Sequence, residues 1–250
     1  MVEIEAWAEF ADSRENDKFI DLFGKADKIV SVDKVTSKTT IDLTYTMQHM
    51  VVFGVLKKLA EASGGDGKPR LLDVGSHMGI VAALTSLYDV FYTDPRVPSY
   101  VIQHREAFLQ TLPCEAQHLP SEKETFDIVT SFHAIEHFGL GRYGDTPDYY
   151  GDQKGLIEFN RVLKKGGQLV VSVPCRSESR IKFNDSREYG PRDFDKILES
   201  AGFKIASSGI HFHPYAREDG KLVTKDLSEL DSYPIDHTAP VYIVHAFKPV

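Results

Sequence analysis

The sequence predicts an α/β domain: a mostly parallel sheet with helices on both faces, preceded by a helical extension. Three observations point there. Short apolar runs such as "RLLDV", "FDIVTSF" and "QLVVSVP" alternate with segments of helical period, the pattern of strands covered on both faces by crossover helices. Two of the runs end in Asp with Gly or Pro close behind ("LLDVGS", "FYTDP"), and in such sheets ligands sit beyond these strand ends. Two helical segments are followed by glycine, Gly166-Gly167 and Gly202, a common helix terminator.

In chain order, residues 42–62 predict a helix, with Leu43, Met47, Met50, Val51, Gly54 and Val55 at helical spacing. "SGGDGKPR" breaks the chain after it. "RLLDVGS" is a strand, "GIVAALTSL" a helix and "DVFYTDPR" the next strand. Residues 97–123 are read as a helix and a short strand near Leu112. "FDIVTSF" is a strand, "KGLIEFNRVLKK" a helix, "QLVVSVP" a strand and "RDFDKILESAGF" a helix. "KIASS" and "VYIVHAFKP" are the last two strands. This pattern divides the chain into a helical extension or lid, residues 1–65, and a ligand-binding domain, residues 66–250.

Composition narrows the function. The 250 residues are 42% hydrophobic, enough for one packed core. A net charge of −8 argues against a nucleic-acid partner, which usually meets a basic face. The two cysteines, Cys114 and Cys175, have no CxxC spacing, so neither a disulfide framework nor a zinc site is expected. "MVEIEAWAEFADSREND" lacks the basic-then-apolar order of a secretion signal. No uninterrupted apolar stretch approaches the roughly 18 residues of a spanning helix. The expectation is a soluble, cytoplasmic protein with no membrane partner.

"LLDVGSHMG" delivers Asp73 on a strand and turns through Gly75 and Gly79 into a helix. A dinucleotide fingerprint would need glycine where His77 and Ile80 stand, which disfavours a nicotinamide oxidoreductase. Asp94 ends the second strand, where an acidic residue can accept both hydroxyls of a ribose.

These blocks resemble the class I S-adenosylmethionine (SAM) methyltransferases, whose first motif runs acidic-x-Gly-x-Gly-x-Gly. Asp73, Gly75 and Gly79 match it, and His77 replaces the middle glycine. Asp94, the segment "CEAQHLPSEKETFDIVTS" and "RVLKKGGQLVVSVP" follow in the family's order. The resemblance implies a Rossmann-like sheet whose last strand is antiparallel, and SAM as cofactor with S-adenosylhomocysteine as product. It implies that Asp73 lies near the methionine end, Gly75 and Gly79 against the adenosine, Asp94 on the ribose, and Glu115 and Ala116 beside the adenine. Ser76, His77 and Phe132 complete the implied cofactor set. "HAIEHFGLGRYGD", with "RVLKKGG", "SVP" and "FNDSREY", is similar to a bacterial and nematode subgroup once labelled a domain of unknown function.

His133, Glu136 and His137 follow a strand and are expected to begin the next helix, facing the methyl acceptor. Three readings of them stay open. One histidine is a general base, since imidazole titrates near neutral pH. Alternatively the three residues hold a divalent metal, with imidazole favouring a transition metal; some O-methyltransferases carry Glu-x-x-Glu-His at this point, where this chain has His-x-x-Glu-His. Or Glu136 caps or pairs, and the histidines only shape the pocket.

"GLGRYGD" reads as a substrate loop offering Arg142 and Tyr143. "CRSESRIKFNDSREYGPRD" gathers arginines, which suit phosphate or carboxylate; Asn184, Arg187 and Tyr189 are its candidate substrate contacts. The acceptor expected is a hydroxyl of a small polar or anionic metabolite: a nucleotide sugar, phosphorylated sugar or uronic acid, as in surface-glycan (polysaccharide) biosynthesis. N-methylation of a small molecule and a non-catalytic SAM-binding subunit are the alternatives. His211 and His213 share a strand face by spacing. The long connection 210–238 suits a lid or a contact in a homo-oligomer. Tyr45 and His49 are candidate pocket residues on the first helix.

Overall fold

The computed structural model describes residues 43–65, 67–96, 110–182, 186–211, 217–218, 221–222 and 240–250. The chain divides into two units, Met1–Leu43 and Thr44–Val250; apart from Leu43, the described residues belong to the second. Its elements are α1 (Leu43–Ala62), β1 (Arg70–Val74), α2 (Met78–Leu84), β2 (Asp89–Thr93), β3 (Gln110–Leu112), β4 (Phe126–Phe132), a 3-10 turn (Ile135–His137), α3 (Gly151–Val162), β5 (Leu163–Pro174), β6 (Arg180–Lys182), β7 (Ser186–Glu188), α4 (Pro191–Ser200), β8 (Lys204–His211), β9 (Arg217–Glu218), β10 (Lys221–Leu222) and β11 (Val241–Phe247).

Seven strands form one sheet in the order β3-β2-β1-β4-β5-β11-β8. β1 pairs in parallel with β2 and β4, and β5 in parallel with β4. β11 runs antiparallel to both of its neighbours, β5 and β8. The last strand is thus antiparallel as expected, and it is inserted between two others.

Strand side chains alternate between faces, and two cores result. Leu72, Val74, Leu169, Val171 and Val244 pack with Phe159 of α3 and Phe194 and Leu198 of α4. Leu71, Ile128, Val170 and Ile243 face the other way, against Val52 and Leu56 of α1 and Ile80, Val81 and Leu84 of α2. Covering both faces explains why the strands read as near-continuous apolar runs.

Two expectations change. No helix begins at Glu136: one 3-10 turn forms, and Gly139, Gly141 and Gly144 then take φ of 73°, 72° and 80°, values that no helix continues through. At Gly139 a Cβ would collide with Asp148 O. Helix α3 starts earlier than "KGLIEF" and ends earlier than Lys164-Lys165, which lie in β5. Its final carbonyls, Arg161 O and Val162 O, accept from Glu124 N and Thr125 N just before β4. The β6–β7 hairpin is an addition. Asn184, His213 and the helix expected within 97–109 lie outside the described residues, as does most of 210–238. Among the described residues no helix is long and apolar enough to cross a membrane.

Candidate active site

The C-terminal ends of β1, β2 and β4 open onto one cleft of about 530 Å³, lined by Gly75, Asp94, Glu115, Ala116, His133, His137 and Tyr143 among others. Beside Val74 and Gly75 of the lining is a buried network whose members, Asp73, Ser76, Thr130 and Phe132, do not themselves line the cleft. Asp73 accepts from Ser76 N (3.0 Å) and Ser76 Oγ (2.7 Å), and from Thr130 Oγ1 (2.7 Å). Ser76 Oγ in turn accepts from Phe132 N at 2.9 Å. This ties the β1 turn to the end of β4. Burial raises the Asp73 carboxyl to about 6, against the pull of its three hydrogen bonds.

Gly75 has φ +76°, and a Cβ there would come 2.9 Å from Ala134 Cβ, so only glycine lets the turn lie so close to the strand beyond it. His77 needs no such freedom. Its φ is −61°, it is the N-cap of α2, and its Nδ1 accepts from Gly79 N at 3.1 Å. His77 is thus a capping residue at the turn from β1 into α2. Phe132 is buried in the α1–α2 core. His49 of α1 stacks against His77, ring centroids 6.2 Å apart.

Just beyond β4, His133 has φ +51°. That region costs a non-glycine residue roughly 1–2 kcal/mol, so the chain here is held by its surroundings, including His133 N donating to Ser172 O. The reversal brings His133 Nδ1 to 3.0 Å from Glu136 Oε1, and His137 Nε2 lies 3.9 Å from the same oxygen. Glu136 is only 2% exposed. One buried carboxylate thus sits between two imidazoles. Burial holds the His137 imidazole below its ordinary value, against the attraction of Glu136. Among the described residues no group of three or more His, Cys, Asp or Glu side chains is set to hold a metal.

Of the other expected residues, Glu115 accepts from Thr146 N at 3.2 Å. Tyr143 meets the His137 ring edge-on at 5.3 Å, and the Arg142 guanidinium lies 5.6 Å from the Tyr143 centroid. Arg187 and Tyr189 line a second cavity, of about 770 Å³, with Asp152 and Glu188. Arg187 donates to the carbonyls of Phe138 (2.6 Å), Asp148 (3.4 Å) and Tyr149 (2.9 Å), and the Tyr189 hydroxyl donates to Asp152 Oδ2. Glu188 accepts from Arg180 and from Lys182, with Arg176 Nε 3.4 Å away. Much of the arginine cluster is therefore spent on one buried carboxylate and on the loop backbone.

Arg96 is the residue the sequence reading missed. It donates to both oxygens of Asp94 and lies over the Tyr143 ring at 3.9 Å. Its signal was present, an arginine two places after a strand-ending acid.

The donor set fits a nucleoside. A buried acid stands at the β2 end, a glycine turn beside it, and Ala116 and Gln117 line the wall.

Residues 103–218 match the family described as "Caenorhabditis protein of unknown function, DUF268". An uncharacterized protein of Methanocaldococcus jannaschii is 28% identical over 148 residues, 58% of this chain and 59% of its own, so the match spans about three fifths of that relative. Among solved structures, a phosphoethanolamine N-methyltransferase of Haemonchus contortus, with S-adenosylhomocysteine bound, aligns with TM-score 0.53 and 15% identity over 82% of this chain and 53% of its own. The 1,6-didemethyltoxoflavin N1-methyltransferase of Burkholderia thailandensis, also holding S-adenosylhomocysteine, aligns with TM-score 0.52 and 15% identity over 83% and 84%. The fold is the Rossmann-like one of the class I methyltransferases.

Proposed function

We propose that the protein is a SAM-dependent methyltransferase acting on a hydroxyl of a small polar or anionic metabolite, such as a nucleotide sugar or surface-glycan precursor. The observation that carries this reading is a convergence. Gly75, Asp94, Glu115 and Ala116 share one cleft with a His133–Glu136 pair, at the C-terminal ends of a methyltransferase-type sheet.

SAM, when bound, supplies an electrophilic methyl group on a sulfonium. The chain must position the acceptor and remove its proton. Asp94 accepts from the ribose hydroxyls, and Ala116 packs beside the base. Glu136 holds Nδ1–H of His133, which leaves Nε2 as the basic nitrogen. With the acceptor seated, His133 Nε2, which is enclosed in the free protein, would take the hydroxyl proton as the methyl group that SAM would supply passes from sulfur to that oxygen. This pair favours a hydroxyl acceptor, because an amine that arrives deprotonated needs no base.

Calorimetric titration with S-adenosylhomocysteine, with NADH as comparison and Asp94→Ala as control, tests the cofactor. Micromolar binding that is absent for NADH and weakened by Asp94→Ala is expected. NADH binding in its place would overturn the reading. Screening sugar nucleotides and uronic acids for S-adenosylhomocysteine release tests the acceptor. With an acceptor in hand, His133→Gln and Glu136→Gln should each lower kcat by about 10²–10⁴-fold, the usual contribution of a positioned base. Undiminished transfer in both variants points to an amine acceptor instead.

A further inference from the structure

Asp94 is fully engaged before any nucleoside arrives. A carboxylate offers about four lone-pair sites. Here Oδ1 accepts from Arg96 N and Arg96 Nε, both at 2.8 Å, and Oδ2 accepts from Arg96 Nη2 at 2.5 Å and Tyr92 OH at 3.3 Å. The Asp94 carboxylate is 4% exposed while the Arg96 side chain is 45% exposed, so the pair is enclosed on the carboxylate side and open to solvent and salt on the guanidinium side. A ribose diol needs the same two oxygens.

The Arg96 guanidinium touches a second partner in the same cleft while it holds Asp94. It already lies 3.9 Å over the Tyr143 ring, which has Arg142 at 5.6 Å and the His137 ring at 5.3 Å. Two guanidiniums and an imidazole thus gather on one ring at the acceptor end, in a chain of net charge −8. Planar guanidinium stacks on an aromatic face while its N–H groups remain able to bind an oxyanion.

We infer that Arg96 exchanges one of its two partners: in the free protein it holds Asp94 while stacked on Tyr143, the cofactor ribose displaces it from Asp94, and the guanidinium kept on Tyr143 beside Arg142 then binds a phosphate or carboxylate of the acceptor. This rests on the methyltransferase reading for its cofactor. It assigns the acceptor an anionic group near the methylated hydroxyl, and it orders binding with cofactor first. Because linkage is reciprocal, the anion in turn tightens the cofactor.

A latch closed about ten times more often than it is open lowers apparent cofactor affinity about tenfold. Arg96→Ala should therefore bind S-adenosylhomocysteine about tenfold more tightly than the wild type, and Arg96→Lys should fall between them. In the wild type alone, that affinity should rise with added salt, which weakens the Arg96–Asp94 pair. Orthophosphate and, separately, acetate are the anion probes. At least one should bind the wild type several-fold more tightly when S-adenosylhomocysteine is saturating, and this gain should vanish in Arg96→Ala.

If the wild type binds S-adenosylhomocysteine and Arg96→Ala binds it equally or less well, Arg96 is not a competitor and the inference fails, while the methyltransferase reading stands. Loss of the salt effect in the wild type, or of the anion gain, also counts against it. If no variant binds S-adenosylhomocysteine, the cofactor reading fails and takes this inference with it.

Discussion

Asp73 shows how one buried carboxyl sets a pH dependence. Fully enclosed, it titrates near 6 in the folded protein instead of its ordinary 3.8. The folded state therefore holds this proton more tightly than the unfolded chain does. For an acid raised on folding, stability is fullest below the unfolded value and falls as pH rises toward the folded one. A shift of about two units corresponds to about 3 kcal/mol. Urea unfolding of the wild type and of Asp73→Asn, across about pH 4 to 6, isolates this contribution. Of that, the wild type should lose about 2 kcal/mol relative to the variant over this range. A difference that stays flat with pH would show that the three hydrogen bonds keep Asp73 ionised throughout.

At the scale of elements, the segment between β4 and α3 is held from below. Arg187 of β7 reaches three of its carbonyls, Phe138, Asp148 and Tyr149, and its Nε lies 3.6 Å from Asp152 of α3. Both side chains of that pair are 5% exposed. Removing one member of a buried pair costs roughly 3–5 kcal/mol. Arg187→Met should therefore destabilise the protein by about that much and raise hydrogen exchange across residues 139–149. Lysine should not rescue it, since a point charge cannot serve three carbonyls. Unchanged loop protection in Arg187→Met would refute the tether.

Strands were the most legible elements, because burial on both faces writes itself as a continuous apolar run. The Gly75–Asp94 half of the candidate site was legible for a related reason: both are local consequences of a strand end and a tight turn. The His133–His137 half was less so. The glycines of "GLGRYGD" stand in view after "IEH", but that they stop it after one turn depends on the contacts that fix their positive φ, and the partners of Arg187 are three backbone carbonyls up to 49 positions away and the Asp152 carboxylate. Arg187 reads in sequence as an anion contact because pairing with carbonyls leaves no residue-type pattern. The Asp94–Arg96 pair is local, yet the Tyr143 ring on which Arg96 also stacks arrives from a distant segment.

For the whole domain, the decisive element comes last. β11 pairs with β5 from Val241↔Pro174 to Phe247↔Gln168, and on its other edge with β8. Until it is in place β5 has an open edge and β8 has no neighbour in the sheet. Val241, Tyr242, Ile243, Val244 and Ala246 are each at most 5% exposed, and they divide between the two cores. At roughly 1.5–3 kcal/mol for each of the four larger side chains, burying them contributes about 6–12 kcal/mol. That is as large as the net stability of a typical domain, about 5–15 kcal/mol. A chain ending before Val241 should therefore fail to fold, although β1, α2, β2 and all the residues lining the candidate cleft precede the cut. Circular dichroism and urea titration of the truncated chain should show no cooperative transition. Adding the missing strand as a separate peptide should restore part of it, because both receiving edges belong to the remaining chain. A truncated chain that unfolds cooperatively with wild-type midpoint would mean that the parallel half, β3-β2-β1-β4-β5, is stable by itself.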